Sequence, residues 1–460
     1  MILQRTLLAA VALLGATAQA AGVSGTAFGF ATGTTGGGNA TPATPSDISQ
    51  LTEWLTDNTP RVILIDKEFN YLNSQGKCTD CKCCIPSSNS CGSSGQDAID
   101  LDSSSWCGSY PTTTCTYDKA ALEGINVASN KSIVGVGSTG VIRGKGLRLV
   151  NGVSNVIIQN IHITELNPQY IWGGDAITLD GTDKIWIDHV KISLIGRQMF
   201  VAGYEASGDV TISNSEFDGQ TSWSASCDGH HYWTVLGYGK NDKVTFTGNY
   251  IHHTSGRSPK LEFNSYWHVY NNFWFNNTGH AFDVGEGANA LIEGNVFQQV
   301  KSPFLEDSSS GKTFAVTSND KSTCDSELGR TCAVNTLTSS GTLSASDENV
   351  LSSWPSGESG INVLDAGRVK SSVLSNAGVG KLSSSSSSKK IRQFDLPAPL
   401  APVLSSAGPG ATPCATPSGA APKWTWKTIG VQPTSQPTGS PSPPQHSHAA
   451  GGGSFLFGFF

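Results

Sequence analysis

Val156-Ile-Ile-Gln-Asn160 is one of six stretches built to a single pattern. The others are Ile185-Trp-Ile-Asp-His189, Val210-Thr-Ile-Ser-Asn214, Val244-Thr-Phe-Thr-Gly248, Trp267-His-Val-Tyr-Asn271 and Ala290-Leu-Ile-Glu-Gly294. Seven places after each start stands another apolar residue: Ile163, Ile192, Phe217, Ile251, Trp274 and Phe297. Successive starts lie 29, 25, 34, 23 and 23 residues apart. Period-2 strands at such a spacing, with Asn or Gly at the turn, predict a parallel β-solenoid. One coil cannot bury its own apolar face, so coils stack and equivalent positions form columns. Asn160, Asn214 and Asn271 should share one, where Asn tolerates left-handed backbone. Arg197 lies 12 residues after its coil's start and Arg257 lies 13 after its own. They are two coils apart, or about 10 Å at ~4.8 Å per strand spacing. Two arginines at that separation can share one groove.

A solenoid grows along one axis, so 460 residues need not mean several domains. Glycine at 52 residues and charged residues at 14% suit short strands and turns. A net charge of −7 argues against a nucleic-acid partner. Residues 1–20 read as a signal peptide, with Arg5, an apolar run from Leu7 to Leu14, and Ala18-Gln-Ala20 as the cleavage site. The chain is therefore expected to be secreted. No other stretch is long and apolar enough to suggest a membrane span. The 11 cysteines then read as disulfides. Zinc is the alternative for Cys78–Cys91, but no histidine lies near that cluster. An odd count leaves one thiol over, and Cys414 is the candidate. Cys324 should pair with Cys332. Sequons stand at Asn39, Asn130 and Asn276.

Three regions follow: the signal peptide at 1–20, a β-helix domain at 21–370 with a cysteine-rich insert at 78–115, and a tail at 371–460. A helix is expected over Pro45 to Asn58 with Ser46 as its N-cap. Arg61 to Asp66 reads as a strand, and strands dominate from Lys131 to about Val300. The tail, with its Ser383–Ser388 run and abundant Pro, Ser, Gly and Thr, should not bury enough apolar surface to order.

Four motifs stand on the solenoid: Trp172-Gly-Gly-Asp175, Ile195-Gly-Arg197-Gln198, Tyr232-Trp233 and Ser255-Gly-Arg257-Ser-Pro-Lys260. With Trp186-Ile-Asp-His-Val190, Cys227-Asp-Gly-His-His-Tyr-Trp233 and Gly285-Glu-Gly287, they give a chain that closely resembles the fungal-type pectin lyases of the pectate lyase superfamily. The resemblance covers roughly residues 22–345. It implies a single-stranded right-handed parallel β-helix. It also implies β-elimination of methyl-esterified homogalacturonan from plant cell walls, by a monomer. The base removes the C5 proton of a galacturonate, the 4-linked oxygen leaves, and a 4,5-unsaturated sugar remains. The family's base falls on Arg257. Cys227 should pair within the 78–91 cluster.

An arginine base is costly. A guanidinium with a pKa near 13 loses its proton at pH 7 only at about 8 kcal/mol. That lies within the ~8–23 kcal/mol by which enzymes lower barriers. Arg197 and Lys260, as nearby cations, should lessen the cost and stabilise an enolate. A purely electrostatic role for Arg257 stays open.

Pectate lyases, by resemblance, hold calcium with acids near this part of the helix. Calcium takes about six to eight oxygen ligands. Here Asp175 is present, but Arg197 stands where further acids would. Asp175 is therefore expected to orient Arg197, with turn-capping as the plainer alternative. No metal and no cofactor are expected. Trp172, Tyr232, Trp233 and Trp106 should grip the apolar faces of the sugar rings. Trp186, Trp267 and Trp274 follow strand columns and read as packing or surface residues. In His230-His231 and His252-His253, neighbouring side chains should point to opposite faces and not chelate.

Three rivals remain. A polygalacturonase-type hydrolase needs clustered carboxylates, which this motif region lacks. A calcium-dependent pectate lyase would be sensitive to chelator. A non-catalytic wall-binding protein would have no need of Asp175, Arg197, Arg257 and Lys260 together.

Overall fold

Short half-buried strands need neighbours above and below. In the computed structural model, which describes residues 22–101, 106–320 and 322–382, they find them in register. Ile185 pairs with Val156 on one side and Val210 on the other. Val210 pairs with Val244, Val244 with Trp267, and Trp267 with Ala290, all in parallel. The second strand of each coil stacks likewise through Ile163, Ile192, Phe217, Ile251, Trp274 and Phe297. The fold is the parallel β-helix that the repeats predict.

The turn between these two stacks explains the repeat. Asn160, His189, Asn214, Gly248, Asn271 and Gly294 have φ of 59°, 53°, 45°, 68°, 55° and 61°. Left-handed backbone is cheapest for Gly and next for Asn. Asn160 Nδ2 also donates to the carbonyls of Gly135 and Gly137.

A third stack carries the site. It runs from Ile125 and Leu147 to Ile177 of the strand Ile177–Asp188 and continues through Phe200–Ala202, Val235–Gly237 and Lys260–Leu261 to Asp283 and Val284. Inward residues of all three stacks make one core, with Ile158, Ile212 and Phe297 at no exposure. Truncating Ile212 to Ala should cost about 2–5 kcal/mol. Trp186, Trp267 and Trp274 are buried, as packing residues should be.

The insert is a separate antiparallel sheet. Lys77–Cys84 pairs with Thr112–Asp118 and with Asp97–Ile99. Asp97 and Ala98 in turn pair with Tyr170 and Ile171 of the β-helix. Four disulfides involve its cysteines: Cys78–Cys81, Cys83–Cys115, Cys84–Cys107 and Cys91–Cys227. The fifth is the expected Cys324–Cys332.

Several expectations are corrected. The first helix is Ile48–Thr56, and its cap is Asp47, whose carboxylate accepts from Gln50 N–H. Ser46 sits one place too early and gives its own N–H to Gln50 Oε1 instead. The 370/371 boundary falls inside a helix, Ala366–Asn376. Val369 and Val373 pack there against Phe273 and Val296, so this part of the expected tail is ordered on the β-helix. The signal peptide, the serine run, Cys414 and the rest of the tail lie outside the described residues. Among those described, no helix is long and apolar enough to cross a membrane.

Candidate active site

The segments entering the third stack are joined rung to rung. Arg197 N–H donates to Gly174 O, and Ala176 N–H to Gln198 O. Met199 N–H donates to Trp233 O, and Val235 N–H to Arg257 O. Asp175, Arg197, Trp233 and Arg257 therefore occupy successive rungs. The two arginines stand two rungs apart with Trp233 between them.

Arg197 is held on two sides. Its Nε and Nη2 reach Asp175 Oδ1 and Oδ2 at 3.1 and 3.2 Å. Its guanidinium lies 4.0 Å from the Trp172 ring centre. Asp175 Oδ1 also accepts Gln198 N–H at 2.8 Å. The carboxylate thus bonds across rungs and does not cap its own turn. Its oxygens are taken up by an arginine and an amide, a donor set that does not suit calcium.

Arg257 is placed differently. Its guanidinium lies 4.8 Å from the Trp233 ring and 5.8 Å from the Tyr232 ring. Its Nε is buried without a hydrogen-bond partner. Among the described residues no carboxylate pairs with it. Its backbone N–H donates to His280 Nε2. Burial and the nearby Arg257 and Lys260 hold His280 below its usual range, so that nitrogen is free to accept. Arg257 and Trp172 both have left-handed backbone, with φ of 45° and 67°. Such conformations cost on the order of 1–3 kcal/mol and collect where a side chain must be aimed.

Lys260 departs from expectation. Its Nζ lies 2.8 Å from Asp283 Oδ2 and 3.1 Å from Glu262 Oε1. Two carboxylates therefore compensate its charge, which weakens the help expected from it as a cation beside Arg257. A carboxylate pair does stand near the arginine, but each member is bound to this lysine.

The aromatic residues converge. Trp106 meets Trp172 edge-on at 6.2 Å, and Tyr232 meets Trp233 edge-on at 4.9 Å. The insert positions Trp172 directly, because Tyr170 and Ile171 are strand residues of its sheet.

Two positioning residues escaped the sequence reading. Gln96 is buried; its Nε2 donates to Pro168 O and Gly196 O at 2.9 Å, and its Oε1 accepts from Trp233 Nε1 at 3.1 Å. One amide thus ties the insert to the Arg197 and Trp233 segments. His231 Nε2 reaches Arg197 O and Trp233 O. Neither residue repeats with the coil, so no periodic signal marks them.

The second histidine pair departs from the expected opposite-facing arrangement. His252 Nδ1 and His253 Nδ1 approach to 2.8 Å. His253 has a φ of 53°, which turns its side chain toward its neighbour's side. Glu216, Asp218 and His252 have ligand atoms within 4.8 Å of one another. Lys191 Nζ already stands 2.9 Å from both of those carboxylates, so a cation occupies the cluster.

A profile of the pectate lyase family matches residues 2–382. A relative from Aspergillus niger named probable pectin lyase F is 68% identical over 97% of this chain and 96% of its own. One of the same name from Aspergillus flavus is 69% identical over 84% of this chain and 90% of its own. Among solved structures, a pectate lyase from Bacillus sp. N165 in complex with trigalacturonate is 19% identical, with a TM-score of 0.48 over 76% of this chain and 98% of that chain. The chain belongs to the pectate lyase family.

Proposed function

We propose that this member of the pectate lyase family is a secreted pectin lyase that cleaves methyl-esterified (1→4)-linked galacturonan by β-elimination. The observation that carries the reading is the contrast between the two arginines. Asp175 and Trp172 fix Arg197, while Arg257 lies over Trp233 and Tyr232 with no acid partner among the described residues.

In this reading Arg257 acts as the neutral guanidine left once its own proton has passed to water, and it takes the C5 proton. The C5–H electrons pass toward the ester carbonyl and then form the C4–C5 double bond. The C4–O bond breaks, and the leaving oxygen is protonated from water. Arg197 faces the developing enolate, its orientation set by Asp175. The rings of Trp172, Tyr232, Trp233 and Trp106 suit the apolar faces of pyranoses and a neutral ester. Five disulfides accord with an extracellular site of action. The curated relatives' names support the same activity.

The test is the ultraviolet absorbance of the conjugated product on highly esterified pectin. A lyase raises it as the polymer shortens. A hydrolase using Asp283 and Glu262 would give reducing ends without it, and the reading would fail.

A further inference from the structure

The strands that carry Trp233 and Arg257 at their entrances carry a second set of aromatic residues at their exits. Tyr204 follows Phe200–Ala202, Tyr238 follows Val235–Gly237, and Phe263 follows Lys260–Leu261. Their ring centres lie 5.4 to 6.2 Å apart. Tyr204 and Phe263 are 37% and 41% exposed. Beside them is a shallow hollow of about 520 Å³, lined by Phe263, Lys240, Asn241, Asn264 and Glu286.

Phe263 is the informative member. Its φ is 55°, a conformation that a bulky residue adopts only at a cost. Its side chain is nevertheless exposed, so burial does not offset that cost. Trp172 in the candidate active site shares the feature, with a φ of 67°. The turn is well braced: Lys240 N–H donates to Tyr204 O, and Phe263 N–H to Glu286 O. A fixed aromatic surface edged by amides, a lysine and a carboxylate has the chemistry of a sugar site, with flat apolar faces for the ring and polar groups for its hydroxyls.

We propose that Tyr204, Tyr238 and Phe263 form a second binding surface for pectin, engaging a stretch of esterified galacturonan away from the reacting residue. The proposal rests on the pectin lyase reading. The surface lies at the other end of the same short strands from Trp233 and Arg257, with Phe263 six residues on from Arg257, at most about 20 Å at ~3.3 Å per residue. It would hold a long polymer on the enzyme and be out of reach of a short one.

The test compares wild type with Phe263→Ala, Phe263→Leu and Tyr204→Ala/Phe263→Ala, after thermal unfolding has confirmed that each is folded. On long esterified pectin KM should rise about fivefold, since one aromatic contact contributes about that much. On short esterified oligomers kcat/KM should stay unchanged. Phe263→Leu, which keeps apolar bulk but loses the flat face, should behave as Phe263→Ala does. Equal losses on long and short substrates, or none on either, would overturn the proposal. Binding to insoluble esterified pectin, measured without turnover, separates this result from the activity reading. If variants bind as wild type does, the second surface fails and lyase activity is untouched. If they bind less while wild type makes no unsaturated product, the surface stands and the activity reading fails. If Phe263→Ala instead converts a dimer into a monomer, with pectin binding intact, the surface is a self-association face and the proposal fails.

Discussion

His231 Nε2 lies 2.8 Å from the carbonyl oxygen of Arg197 and 3.1 Å from that of Trp233. A ring nitrogen facing two acceptors must carry the proton. Burial holds this imidazole down to about 4, so it stays neutral through mildly acidic and neutral pH. It fastens together the rung that carries one arginine and the rung that separates the two.

His231→Leu should therefore damage activity through position. The Arg197 carbonyl loses its donor, at about 1–3 kcal/mol, while the Trp233 carbonyl keeps the Met199 N–H. We expect kcat/KM to fall about 10- to 100-fold, mostly in kcat. His231→Gln, whose amide can still donate, should recover part of it. Steady-state kinetics beside thermal unfolding check this: equal loss of stability in both variants without a difference in kcat would contradict a positioning role.

The disulfides differ in what they hold. Cys91–Cys227 closes a loop across a separation of 136 residues and joins the insert to the 220–231 segment. The chain-entropy estimate gives about 5 kcal/mol for such a loop and about 2–3 kcal/mol for one as short as Cys324–Cys332. Cys91→Ser/Cys227→Ser should lower Tm more than Cys324→Ser/Cys332→Ser does. It should also raise KM, because the insert carries Trp106 and steadies Trp172. Calorimetry and kinetics on both double variants decide this, and a larger Tm loss in the short-loop variant would refute it.

A buried ion network should give stability a pH window. His268 Nε2 contacts Glu293 at 2.8 Å, and its Nδ1 contacts Glu358 at 2.9 Å. Burial opposes the charge on His268, but the two carboxylates outweigh it and raise it to about 9. Burial likewise opposes the Glu293 carboxylate, yet His268 and Arg330 lower it to about 2. The raised histidine stabilises fully below its unfolded value near 6.5 and loses this as pH rises through about 9. The lowered glutamate stabilises above its unfolded value near 4.3 and loses this as pH falls through about 2. The Tm difference between wild type and His268→Asn should be largest near pH 5–6 and shrink toward pH 9. A difference that grows with rising pH would be inconsistent with the network.

The stacks were legible because their signal repeats. An apolar alternation and a left-handed turn at a fixed phase recur on six coils, so register followed directly. The two-rung separation of Arg197 and Arg257 could be counted for the same reason. What did not repeat did not show. Gln96 acts through three contacts that exist only once the insert docks. The compensation of Lys260 by Asp283 depends on a residue in the next coil, 23 positions on. The helix Ala366–Asn376 hides among serines, since its buried face is only Ala366, Val369 and Val373.

The occupied carboxylate gives an expectation of metal independence. Excess chelator should leave elimination undiminished, because Asp175 bonds Arg197 and Gln198. Asp175→Asn should cost about 2–3 kcal/mol in the barrier, or roughly 30- to 150-fold in rate, by loosening a mostly buried guanidinium. Added calcium should not restore it. Activity assays with and without chelator check this, and a strict calcium requirement would defeat the reading.

The most direct measurement of the base assignment is turnover of Arg257→Lys and Arg257→Ala on esterified pectin, with binding measured alongside. Lysine keeps the charge but loses the planar fork and its reach over Trp233. Both variants should bind pectin and lose nearly all elimination, with alanine no more than a few fold worse than lysine. Arg257→Ala activity within tenfold of wild type, a loss below about 1.4 kcal/mol, would contradict Arg257 as the base.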